Sequence, residues 1–287
     1  MTAIDVIETR DRVAARPTAT DATRQTASIR PRHKHYESRW VAVLPPIVVG
    51  VLLLGFWDLL VRGGTVAPYL LPAPLDVADR FWGALTDGLL LRYARTTLQE
   101  SIVGFLLGAA IAVPVGYGIA RSRLLARALE PYLAASQAVP AVALAPLLVI
   151  WLGYGLKSVV VLCALIVFFP AVVNTALGIR TLDPDVLDAA RVDGAGGWPM
   201  LLHFELPLAL PSILAGLRTS LTLSVTGAVV GEFVLGDQGL GGLLTIARGN
   251  FDTPLVFATL LMLMLLASTL YGVARLAERA LIRWLIE

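Results

Sequence analysis

Cysteine and histidine are nearly missing from this 287-residue chain, which has one Cys and three His. A single thiol, Cys163, excludes an intrachain disulfide framework, and its place in an apolar run reads as packing. One Cys with the scattered His33, His35 and His203 builds neither a metal site nor the base of a nucleophilic triad. A phosphate loop is also lacking, because Gly153-Tyr154-Gly155-Leu156-Lys157-Ser158 has the wrong spacing and no Gly before the Lys. The chain is therefore expected not to be an enzyme, and no catalytic residue, metal or bound cofactor is assigned to it. Charge is scarce as well. Asp, Glu, Lys and Arg make up 15% of the residues, against about a quarter in a soluble domain. The net charge of +2 is too small to suggest a nucleic-acid partner.

What fills the chain instead is apolar: 57% of residues, with a mean hydropathy of +0.75. That composition points to an all-α polytopic membrane protein, surrounded by lipid. Residues 1–38 are polar, contain no apolar core, and read as a disordered cytoplasmic tail rather than a secretory signal. Residues 39–287 read as one transmembrane domain. Six apolar runs are each about the 20 residues needed to cross a hydrocarbon core of ~30 Å. They cover roughly 41–61, 95–120, 132–152, 159–179, 212–235 and 254–274, and an amphipathic helix follows through Arg275, Arg279 and Arg283. Gly104, Gly108 and Gly116 in the second run suit close helix approach in lipid. Pro140 and Pro146 predict a kink or unwinding of the third, which makes it a candidate pathway wall. An amphipathic piece over 75–85 is expected along the outer surface, and residues 236–252 as an outer glycine-rich loop. The basic residues are unequally shared between the two sides. The tail, the Arg121-Arg123-Arg127 cluster, the 180–211 stretch and the C-terminus together outnumber Arg62, Arg80, Arg92, Arg95, Lys157 and Arg248, even with the tail left out. Both termini are therefore expected inside.

Between the fourth and fifth runs lies a polar island, Leu187–Pro211. Asp185 or Asp188 can cap a short helix through Ala189-Ala190, and Gly194 can end it in the left-handed conformation. One or two further turns can follow from Trp198 to Phe204, with Pro207 and Pro211 bracketing re-entry into the membrane. On residues alone, this is either an ordinary loop helix or a rigid docking knob on the inner side.

The order Asp188-Ala189-Ala190, three residues, Gly194, nine residues, Phe204, one residue, Leu206-Pro207 resembles the "EAA" loop of ATP-binding-cassette (ABC) importer permeases. Asp188 stands for that pattern's Glu and Phe204 for its Ile, both keeping chemical type. The resemblance covers roughly residues 66–285. Leu71-Pro72-Ala73-Pro74, the run 138–155, Phe168-Phe169-Pro170 to Asn174, and Gly239-Leu240-Gly241 are similar to the branch for nitrate, aliphatic sulfonates, taurine and related solutes. The resemblance implies a type I importer permease fold in a cell inner membrane and a homodimer of this chain. It also implies separate ABC ATPase subunits that bind ATP and Mg, and an external (periplasmic or lipoprotein) solute-binding protein. Asp188, Ala189, Ala190, Gly194, Phe204, Leu206 and Pro207 are then the ATPase-coupling residues. Neutral or cationic vitamin precursors are carried by relatives of the same pattern, so the solute stays open.

The intramembrane polar residues complete the reading, since each costs free energy in hydrocarbon. By helix rise, Glu100 and Glu232 both lie near the outer face and Arg218 near the inner one, so Arg218 is not expected to reach Glu100. Arg218 reads as a brace under the loop or as an aid to an anionic solute. Gln137, Asn174 and Ser224 are candidates for either solute contact or helix–helix hydrogen bonds. A self-sufficient ion-coupled transporter or channel is the alternative, but it calls for midplane acids and an internal repeat, and neither is evident.

Overall fold

The computed structural model describes residues 39–67, 69–235 and 238–286, so the tail expected over 1–38 lies outside the described residues. Among the described residues every regular element is a helix. The chain divides into two units, Met1–Leu52 and Leu53–Glu287, and α1 (Arg39–Arg62) runs across the division. In the first unit the helix holds although Pro45 and Pro46, its seventh and eighth residues, lie beyond the first turn and each removes a backbone N–H from the ladder. Ile47, Val48 and Val51 there are exposed, as side chains facing lipid are.

The second unit continues through α2 (Pro74–Thr86), α3 (Leu89–Arg121), α4 (Arg123–Gln137), α5 (Ala141–Leu152), α6 (Leu156–Arg180), α7 (Pro184–Val192) and α8 (Gly197–Met200). A π-turn (Leu201–Glu205) leads into α9 (Leu206–Leu235), followed by α10 (Gly239–Gly249) and α11 (Thr253–Ile286). Five helical stretches are long and apolar enough to span a membrane, and α4 with α5 makes a sixth if taken as one broken span.

α6 forms the centre, packed between α3 and α9. Its approach to α3 depends on the predicted glycines: a Cβ on Gly108 would lie 2.7 Å from the Ala164 carbonyl, and one on Gly116 would lie 2.7 Å from that of Val172. In lipid, van der Waals contact of this kind replaces the hydrophobic drive that packs soluble helices. Cys163 is fully buried at this seam, its thiol 3.4 Å from the Ser224 carbonyl, consistent with packing.

Three expectations need correction. The third span starts earlier than residue 132, with α4 at Arg123, and breaks by 103° just before Pro140. Pro140 becomes the first flank of α5 with extended backbone, while Pro146 is accommodated inside that helix. The outer stretch 236–252 is not mainly loop, because α10 occupies most of it and buries Leu240, Leu243 and Leu244. Its glycines serve packing here, since a Cβ on Gly241 would lie 2.7 Å from the Val229 carbonyl. The fifth span does not begin at Ser212. Helix runs without interruption from Gly197 to Val234, the π-turn absorbing the change before Pro207 and Pro211.

Candidate functional site

Asp183, rather than Asp185 or Asp188, caps the loop helix α7. Its carboxyl accepts the Asp185 amide N–H at 2.9 Å, and Pro184 supplies the first helical position. The residue before a proline is pushed to extended backbone, which is the N-cap conformation. Asp188 is exposed and ion-paired with Arg191 one turn on. Ala189 is exposed and Ala190 is buried. Gly194 ends the helix at φ +86, and the Ala195 amide closes on the Ala190 carbonyl at 2.9 Å.

Beyond it, Phe204 lies half-buried in the π-turn and Pro207 at the second position of α9. Leu206 packs against the cluster of Ile179, Ala209 and Ile213. Val192 and Trp198 stand out, 88% and 73% exposed. The loop thus presents a capped, glycine-terminated helix with two exposed apolar side chains, Val192 at the end of α7 and Trp198 in α8. Sequence reading missed Glu205, which fixes this loop to the bundle. It is 1% exposed, accepts the Tyr117 hydroxyl at 2.9 Å, and has Arg121 at 3.3 Å. The signal in the sequence was Tyr117 and Arg121 one turn apart at the C-terminal end of α3.

The intramembrane candidates separate into two groups. Gln137 and Asn174 share a cavity of about 510 Å³ with Ser136, Phe169, Val173 and Leu223. The Asn174 amide also donates to the Pro170 carbonyl at 2.8 Å. No lining residue of this cavity is charged. Ser224 is not among them, being fully buried and donating to the Leu221 carbonyl at 2.6 Å. Arg218 neither lines the cavity nor reaches the loop. It pairs with Glu278 of α11 at 2.7 Å and lies 5.1 Å over the Tyr271 ring, so the brace it provides joins α9 to α11. Glu100 and Glu232, placed near one face by the helix-rise estimate, are adjacent and fully buried.

Long apolar helices around an uncharged cavity, with a polar loop between two of them, have the make-up of a membrane-embedded transport component. The family of binding-protein-dependent transport system inner membrane components matches residues 104–283, and the chain belongs to it. The riboflavin transport system permease protein of Chloroflexus aurantiacus is 46% identical over 245 residues, covering 85% of this chain and 91% of that protein. The formylaminopyrimidine transport permease protein of Halalkalibacterium halodurans is 32% identical, covering 84% of this chain and 96% of that protein. The putative aliphatic sulfonates transport permease protein of Bacillus subtilis is 30% identical, covering 89% and 91%. Among solved structures, an inward-facing methionine ABC transporter matches with TM-score 0.62 at 20% identity, covering 68% of this chain and 97% of that chain, which shows the type I importer permease fold. The chain is a multi-pass inner-membrane permease component of an ABC importer. Family membership sets the self-sufficient transporter aside.

Proposed function

We propose that this permease takes its driving force from separate ATPase subunits gripping the 183–205 loop, and that it passes a neutral, planar heterocyclic solute along the Gln137–Asn174 cavity. The observation that carries the first part is the loop's construction: exposed apolar side chains at Val192 and Trp198 on a stub held to α3 through Glu205. Such side chains are exposed surface that a partner can bury, and the buried stub carries the resulting force into α3 and α9. ATP and Mg²⁺ stay on the partner, both termini face the cytoplasm, and two copies of this chain enclose the pathway, with an external binding protein delivering solute.

For the solute, the uncharged wall supports one class over another. Nitrate, taurine or a sulfonate would leave water for a cavity whose lining offers amides, a hydroxyl and the Phe169 ring but no cation. A planar ring with amide-like edges matches those groups, and the relatives named for riboflavin and formylaminopyrimidine support this class over the sulfonate one. Two measurements on the assembled importer in proteoliposomes test the reading. Replacing Gly194, held at φ +86, by Val forces a β-branched residue into the left-handed region, a strain of about 1–3 kcal/mol. Membrane insertion should survive this change and solute-stimulated ATP hydrolysis should not; wild-type stimulation would refute the coupling role. Uptake should then be competed by neutral heterocycles and left unaffected by excess taurine or nitrate. Competition by those anions would refute the solute class.

A further inference from the structure

The outer half of the bundle holds a second constellation that coupling and solute passage leave unused. Glu100 of α3 and Glu232 of α9 are both 0% exposed, as is Thr97 one turn before Glu100. Glu232 is well provided for. Its Oε1 accepts the Thr97 hydroxyl at 2.6 Å, its Oε2 accepts the Gly241 N–H at 2.6 Å, and Thr97 Oγ1 accepts the Leu240 N–H at 2.8 Å. Those amides belong to the first turn of α10, so Glu232 occupies the positive end of that helix, where a carboxylate is favoured. A Cβ at Gly239 would overlap the Glu232 carboxyl, so glycine there lets helix and carboxyl meet.

Glu100, one turn on from the Thr97 that bonds Glu232, lies beside this carboxylate, and no donor reaches either of its oxygens. Neither acid takes part in any ion pair among the described residues. Two adjacent, fully buried carboxylates with no cation between them is an arrangement that cannot stand, and the way out is a proton on the one that lacks donors.

We infer that Glu100 is a buried proton-binding site: it stands as a neutral acid against the ionised Glu232, and its proton keeps α10 seated on α3 and α9. A cleft of about 190 Å³ lined by Arg92, Tyr93, Thr96, Gln238 and Gly239 ends at the first residue of α10. Few other titratable groups bear on the pair. From α6 it meets only the Cys163 thiol, and α9 supplies Glu232 itself. α10 turns glycines and leucines inward, with Arg248 at its far end. α11 buries Thr259, and its charged residues begin at Arg275. On α3, Arg92 stands at the cleft, stacked on Tyr93, and Arg95 is exposed. Losing the proton to a basic outer medium leaves two facing anions and loosens α10.

The test uses the full chain with its ATPase subunits in nanodiscs and does not read transport, so it is independent of the coupling and solute proposals. Two signals are followed against pH: the carbonyl stretch of neutral carboxylic acids in the infrared, and the hydrogen-exchange protection of the 239–249 amides. Wild type minus Glu100→Gln should show the neutral-acid band. Raising the pH should remove that band and lower α10 protection over the same range in wild type. In Glu100→Gln, whose amide mimics the neutral acid, α10 should stay protected at every pH. Glu232→Gln should lose α10 protection at all pH values by about tenfold or more, the scale of a hydrogen bond to a buried charge. Absence of the band, α10 protection in Glu100→Gln that follows the wild-type pH course, or failure of Glu100→Gln to fold would each overturn the assignment.

Discussion

Glu205 is the residue at which the loop, α3 and the start of α9 converge, through Tyr117 at 2.9 Å and Arg121 at 3.3 Å. Replacing it with Ala leaves a phenol and a guanidinium without their shared acceptor. The cost should be about 1–3 kcal/mol, seen as a lower unfolding temperature in detergent together with weaker solute-stimulated ATPase activity. The ion pair of Arg80 and Asp252, 2.6 Å apart, closes α2 onto the start of α11. Partial burial works against the Asp252 charge, yet the Arg80 hydrogen bond, the Leu255 N–H at 3.0 Å and the Arg80 charge outweigh it, so the carboxyl is held below its ordinary range. A carboxyl lowered on folding stabilises the fold above its unfolded value and loses that contribution as pH falls through the folded one. Wild type should therefore lose ~0.2–1 kcal/mol in acid relative to Asp252→Asn, the modest figure reflecting solvent around both groups. Thermal unfolding of both proteins across the acid range checks this. Gly194 and Ala190 behave as read from sequence because their constraints are local, whereas the partners of Glu205 lie 84 and 88 positions away on another helix and left no nearby trace.

At the level of elements, the α3–α6 seam is the most demanding contact. At Gly104 an added Cβ would collide with Cys163 and stand 2.9 Å from the Val160 carbonyl, with the backbone on that side unable to yield. Gly104→Val should thus destabilise the bundle by about 1–3 kcal/mol or prevent assembly, whereas Gly83→Ala, open on the surface of α2, should be silent. Folded yield after membrane extraction separates the two. The small-residue pattern was visible beforehand because helical spacing alone brings Gly104, Gly108 and Gly116 to one face. The position of the break in the third span was not. Two prolines compete for it, and only Pro140 falls where α4 has already ended. α10 escaped notice for a related reason: its glycines read as loop formers, when their value lies in the absent side chains that let it approach α9.

For the whole molecule, composition and run length were enough to give an all-helical membrane protein with six crossings, since the bilayer imposes one length on every spanning helix. Which polar residues face the pathway was not legible, because Asn174 and Ser224 look alike in sequence and differ only in how α6 and α9 are rotated. A cavity of about 530 Å³ lies beside the Glu205 anchor, lined by Trp198 and Leu201 on the loop side and by Pro114, Tyr117 and Arg121 of α3.

The unbroken helical run from Gly197 to Val234 ties the loop to the seat of α10. At about 1.5 Å per residue its path is roughly 55 Å long, with Trp198 near one end and Glu232 near the other. Between them lie the π-turn and Pro211 but no loop, so the two sites share a single stretch of backbone. A label at either end therefore reports on the same piece of secondary structure.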